Sequence, residues 1–183
     1  ISGNRVSTSG FGGALYNADL AAVANSVIEG NRAAEFGGGL YQYAGGLYVS
    51  NSTLSANEGT YGGGAIYILS GESVVTSSTL ARNRGSIGGA LNNNEGYLNI
   101  VNSIVADSPG ANCFGTITSD GYNLDSGNTC GFSAAGDKTN ADARLGELRD
   151  NGGFSVTHAL MPGSAAIDAG DLAGCLDYNG YDL

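Results

Sequence analysis

Apolar and polar positions alternate along short stretches of this chain. "LYVSNSTL" at residues 47–54 is one example, and its two-residue period is that of a half-buried strand. These stretches recur at a fixed interval. Leu15, Leu40, Ile66 and Leu91 form one apolar column, with spacings of 25, 26 and 25. Ile28, Leu54, Leu80 and Val105 form a second, spaced 26, 26 and 25, and Val23, Val49, Val75 and Ile100 form a third with the same spacings. No segment sustains the i, i+3, i+4 pattern of a helix, which sets aside a helical repeat array.

Three short strands per 25–26 residues, each supplying an apolar residue in register, predict an all-β fold: a parallel β-helix of about four regular coils. Each coil would sit about 4.8 Å above the last, so that neighbouring coils satisfy each other's backbone groups. Polar columns obey the same register. Ser26, Ser52, Ser78 and Ser103 align, as do Asn4, Asn31, Asn57 and Asn83. Stacked, they become structural ladders, each asparagine amide bonding the one above and below. Asparagine also tolerates the left-handed backbone of sharp corners. The paired glycines at 12–13, 37–39, 62–64 and 88–89 mark a tight corner with positive φ.

The pattern predicts regular coils over residues 1–108, and an irregular last coil with a capping region of the same domain over 109–183. The second region holds all three cysteines, both prolines, and 10 of the 17 acidic residues. Cys113 and Cys130 flank a short loop. A disulfide between them would contribute about 3 kcal/mol and imply an oxidising compartment; metal binding by the pair is the alternative. Cys175 then lacks a partner before Leu183. The opening "ISGNRVS" repeats "IEGNRAA" at 28–34 with an offset of 27, so the chain starts inside its own repeat. Both ends read as those of a fragment of a longer chain.

Glycine is the compositional outlier, with 32 residues in 183. The formal net charge is −10, which argues against nucleic acid or an anionic membrane as partner. No run of about 18 apolar residues marks a membrane span.

The stretch "CFGTITSDGYNLDSGNTCGF" (113–132), followed by "DNGG…THAL.PGSAAIDAG" (150–170), resembles the C-terminal choice-of-anchor Q-type module of bacterial surface β-helix proteins. The "GGxLY…NSTLSxN" repeats resemble the polymorphic-outer-membrane-protein-like repeats of the same family. Together the likeness spans essentially the whole chain. It implies a right-handed parallel β-helix, exported and located at the bacterial cell surface or outside the cell. "CLDYNGYDL" (175–183) departs from the family pattern.

A search for chemistry finds little. The coils contain four arginines (Arg5, Arg32, Arg82, Arg84), no lysine and no histidine, with acids scattered singly. No groove is expected to gather arginine and acidic side chains from adjacent coils, and no catalytic residue is assigned. His158 is expected to be a hydrogen-bonded structural histidine, and nothing completes a triad with Ser164. Tyr16, Tyr41 and Tyr67 form a column just after an inward leucine column, and so are expected to face outward. They either bind sugar rings or a partner protein, or stabilise the stack. Asp120, Asp125, Asp137 and Asp142 sit among Asn and Gly. They read as solvated loop acids, with calcium as the alternative for their oxygens; no other metal or cofactor is implied. The column Val27, Thr53, Thr79, Ile104 breaks the threonine ladder that an ice-binding face would need.

The reading is a non-catalytic structural or adhesive β-helix. Its partners would be carbohydrate or cell-surface proteins. Acidic-polysaccharide binding or lyase-type degradation is the first alternative, and homotypic end-to-end stacking the second.

Overall fold

A computed structural model describes residues 1–172 and Gly174; Cys175 and its pairing lie outside the described residues. The described chain is a β-solenoid of parallel strands without a helix. The first sheet stacks β2 (Leu15–Asn17), β6 (Leu40–Gln42), β10 (Ile66–Ile68), β14 (Leu91–Asn93) and β17 (Cys113–Phe114). The second stacks β3 (Leu20–Ala24), β7 (Gly46–Ser50), β11 (Glu72–Thr76), β15 (Tyr97–Val101) and β18 (Thr118–Gly121). The third stacks β4 (Val27–Glu29), β8 (Thr53–Ser55), β12 (Thr79–Ala81), β16 (Ile104–Ala106), β19 (Leu124–Asp125) and β20 (Lys138–Thr139). Beyond these three, a short fourth sheet appears: β1 (Arg5–Val6), β5 (Arg32–Ala33), β9 (Glu58–Gly62) and β13 (Arg84–Ile87).

The apolar columns pair residue for residue. Leu15 stands opposite Leu40, then Ile66, then Leu91. Val23, Val49, Val75 and Ile100 do the same, as do Ile28, Leu54, Leu80 and Val105. From Leu40 onward these side chains are almost completely buried in one continuous core. Each such Leu, Ile or Val contributes roughly 1.5–3 kcal/mol by leaving water.

Corners are built on left-handed residues, of which three sets recur in every regular coil, with Gly45 and Gly71 adding a further one in the second and third coils. One set is glycine: Gly12, Gly37, Gly63 and Gly88. The second comprises Asn25, Asn51, Ser77 and Asn102, and the third Gly30, Ala56, Arg82 and Asp107. The ladder asparagines are therefore not themselves left-handed. The residue just before each of Asn31, Asn57 and Asn83 takes that conformation, because the strained bend is what turns the asparagine side chain inward.

Once inward, each asparagine completes a rung. Asn4 donates to Asn31 Oδ1 (2.9 Å), Asn31 to Asn57 Oδ1 (3.0 Å) and Asn57 to Asn83 Oδ1 (3.1 Å). Each Oδ1 also accepts the backbone N–H of the asparagine in the preceding coil, at 2.9–3.0 Å. The serine ladder works similarly. Ser26, Ser52 and Ser78 donate their backbone N–H to the hydroxyl of the next serine, at 3.0–3.1 Å. Each hydroxyl, including that of Ser103, donates to the carbonyl two residues back, closing the bend. At a corner no strand carbonyl stands opposite these N–H groups, so the side chains take its place.

The region after residue 108 does more than cap. Strands β17 to β19 form a further coil, and the Cys113–Cys130 disulfide forms. Phe132 and Cys130 join the end of the core, so the loop between β19 and β20 provides the cap. The remainder is a strap. An antiparallel hairpin, β21 (Leu145–Arg149) and β22 (Thr157–Leu160), lies along the flank of the third sheet. There Leu145, Ala143, Ala165 and Ala166 bury Ala81, Ala106, Ile104 and Leu124 in a second small core. Arg82 donates to the carbonyls of Leu145 (2.9 Å) and Gly146 (3.2 Å), and pairs with Glu147 (3.1 Å). Thr53 is buried on this flank, away from any exposed threonine face.

The ladder predicts a graded sensitivity. Asn57 is fully buried and its side chain makes four hydrogen bonds, whereas Asn4 is exposed at the first coil. Asn57→Ala should cost about 3–5 kcal/mol in urea denaturation, against about 1 kcal/mol for Asn4→Ala. Equal losses for the two variants would contradict the buried-ladder assignment.

Candidate functional site

The residues with the most to offer a ligand gather around the glycine corner between the fourth and first sheets. The local sequences are "FGGALY" (11–16), "FGGGLY" (36–41) and "YGGGAIY" (61–67), followed by "IGGALN" (87–92). Each of the first three places one aromatic before the corner and one after it. In the fourth, both aromatics are absent together.

The corner is pinched. At Gly38 an added Cβ would lie 2.3–2.6 Å from the Glu58 backbone. Only glycine lets the fourth-sheet strand pass so close. That approach folds the strand before the corner back toward the one after it, and the two aromatic columns meet.

They meet diagonally across coils. Phe11 packs on Tyr41 (centroids 4.7 Å apart) and Phe36 on Tyr67 (4.5 Å). Tyr16, Tyr41 and Tyr67 stack in the predicted column, at 5.3 and 5.2 Å. Tyr43 stacks on Tyr16 (6.0 Å) and Tyr61 tilts against Phe36 (5.6 Å). Seven rings from three coils form one continuous strip.

This corrects the expectation that the whole tyrosine column faces outward. Tyr16 is 46% exposed, but Tyr41 and Tyr67 are only 5% and 7% exposed. Phe11 and Phe36 cover them, and both escaped the sequence reading. Their signal was the aromatic residue directly preceding each glycine pair. The exposed rim is instead Tyr16, Tyr43 and Tyr61.

Burial also shows in proton affinity. Desolvation, reinforced by neighbouring Tyr67, Tyr16, Tyr43 and Glu35, pushes the Tyr41 phenol up to about 12. Desolvation, then Glu95, raises Tyr67.

Beside the strip runs a charged column. Arg5, Arg32, Glu58 and Arg84 stand in register on the fourth sheet. Arg32 pairs with Glu58 at 3.3 Å. The expectation that adjacent coils gather no arginine and acidic side chains is thus overturned. The fourth sheet has no apolar column, so nothing in the sequence period announced it. Glu58 is the single acid among three arginines in this column and pairs with Arg32.

The other predicted groups are spent on structure. His158 Nδ1 lies 2.7 Å from the Gly146 carbonyl, and Nε2 lies 2.9 Å from Ser55 Oγ. A carbonyl only accepts, so Nδ1 carries the proton and the Ser55 hydroxyl donates to Nε2. The pair is buried between hairpin and third sheet and holds one to the other. Ser164 donates to the Ala143 carbonyl.

The acids are not simply solvated. Asp125 is fully buried, accepting from Gly127 and Cys130 N–H and from Asn112 Nδ2. Asp137 accepts from Ser119, Asn123 and Ala134, and Asp120 accepts from Asn99. Arg144 bonds Asp142 through its backbone and side chain and holds that carboxyl below the usual carboxylate range. Among the described residues no three of His, Cys, Asp or Glu are grouped as a metal would require. No described helix is long and apolar enough to cross a membrane.

The chain matches no protein-family model, no curated protein and no solved structure.

The raised Tyr41 phenol carries a pH consequence. Below pH 10 both folded and unfolded chains hold the proton, and the stabilisation is intact. Above it the unfolded chain ionises first, so stability should fall as the pH rises until the folded phenol titrates near 12. Urea midpoints measured from pH 9 to 12 should decline less steeply in Tyr41→Phe. Parallel curves would contradict the assignment.

Proposed function

We propose that this chain is part of an exported, non-catalytic β-helix protein acting as a stiff structural and adhesive element. The aromatic strip is its contact surface for carbohydrate. One observation carries the reading: Tyr16, Tyr43 and Tyr61 are about half exposed, yet each packs against another ring of the strip, Tyr16 on buried Tyr41, Tyr43 on Tyr16 and Tyr61 on Phe36.

Rings held this way are already ordered, so little side-chain entropy is lost when a partner lands on them. Their faces are apolar and their hydroxyls polar, which suits the alternating CH and OH surfaces of sugar rings. Backbone stacking and the two polar ladders distribute stability over every coil, as a spacer requires. The Cys113–Cys130 bridge supports an oxidising compartment. The likeness of the repeats and of the 150–170 motif to bacterial surface β-helix proteins supports a surface location.

The test is retention on insoluble polysaccharides and on a glycan array. The native chain should bind at least one carbohydrate class, and the triple variant Tyr16→Ala/Tyr43→Ala/Tyr61→Ala should bind at least about tenfold more weakly, a loss of 1.4 kcal/mol or more. Circular dichroism should show the variant still folded, because all three side chains lie at the surface. Equal retention by the variant, or no retention by the native chain, would overturn the reading.

A further inference from the structure

The fourth sheet stops one coil before the others. From Leu54 to Ile66 the chain takes 12 residues, whereas from Val105 to Cys113 it takes 8. The missing length is the fourth-sheet strand. Its rungs run from Arg32 N–H to the Asn4 carbonyl, from Glu58 to Asn31 and from Arg84 to Asn57, each at 2.8 Å. The next rung would reach the Asn83 carbonyl, and Pro109 stands where its donor belongs. Proline has no N–H to give. Strand β13 is therefore the terminal strand of its sheet among the described residues.

An open recess of about 480 Å³ lies at this edge, lined by Glu58, Thr60, Arg84, Ser86, Pro109 and Gly110 among others. It runs over the outward side of β9 and β13 and reaches Pro109 and Gly110, which replace the absent strand. Arg84 sits exposed on the edge, and its guanidinium has no hydrogen-bond or ion-pair partner among the described residues. Below it the column reads Arg32, Glu58, Arg84, with Arg32 and Glu58 already paired. The next position is left for a carboxylate.

We propose that the β13 edge is a docking site for an extended segment of a partner protein, which pairs in parallel with Gly85–Ile87 and carries a carboxylate that reaches Arg84. Main-chain hydrogen bonds supply the attachment, and the guanidinium–carboxylate pair sets register and selects the partner. A charged residue and a proline also blunt an edge against indiscriminate pairing. Here the same charge that repels a basic strand favours an acidic one. Strand-edge pairing, not a polyanion, fits the site, because the edge offers backbone donors and acceptors at strand spacing and only one uncompensated cation.

The probe is the acetylated, amidated hexapeptide NEGTYG. This is the sequence of residues 57–62, which already pair with β13 from the other side. Titrated into the isotope-labelled chain, it should shift the backbone amide signals of residues 84–87 and 110–111 saturably. The glutamine counterpart NQGTYG should bind about tenfold more weakly, a loss of 1.4 kcal/mol. Arg84→Glu should reject NEGTYG and accept NRGTYG; the side chain is exposed, so this variant should keep the native spectrum elsewhere. Absence of shifts at millimolar peptide, equal affinity for the Glu and Gln peptides, or shifts confined to another sheet would each overturn the proposal. The first two readouts use the native chain and do not depend on the variant folding.

Discussion

Each coil must turn its corners within 25 or 26 residues and return one strand spacing above where it began, about 4.8 Å. That closure constraint governs the rest of the molecule. Strand-to-strand hydrogen bonds satisfy the flat parts of the coil but fail at the bends. Buried asparagine and serine side chains serve the bends instead, each accepting from the coil before it; the asparagines Asn31 and Asn57 donate on to the next coil, and the serines donate to the carbonyl two residues back. A coil one residue out of register would lose the backbone ladder and both side-chain ladders at once, so these interactions enforce one another.

The same closure positions the surface. Because Gly38 and its counterparts admit the fourth-sheet backbone at near-contact distance, that strand lies against the corner and delivers Phe11, Phe36 and Tyr61 to the tyrosine column. The strip is therefore a consequence of the bend. Its buried rings serve the fold and its outer rings are free to serve a partner. The strap has a comparable logic. Ser55, Ala81 and Ala106 are small, outward-facing residues of the third sheet, and their smallness lets the hairpin lie close enough for His158 to bridge.

Much of this was legible because, in a solenoid, a constant offset in sequence is a constant offset in space. The columns through Leu40, Val49 and Leu54, and the ladders through Asn57 and Ser52, needed only that arithmetic. What escaped it was packing between columns. Phe11 and Tyr41 touch across both a corner and a coil, an offset that matches no repeat length. The fourth sheet escaped because Ala33, Gly59 and Gly85 give its inner face no apolar signature. The hairpin escaped because it docks on Ser55 from 103 residues away, outside any period.

The buried asparagine ladder can be observed directly. Hydrogen exchange of the side-chain amides of Asn31, Asn57 and Asn83, followed by nuclear magnetic resonance, reads the central interaction without altering it. These amides are fully buried and donate to neighbouring carbonyl oxygens in the stack. They should exchange only with opening of the coils, as slowly as the backbone amides of the core strands. Exchange at the rate of a solvent-exposed amide would mean that the coils are not locked together as described.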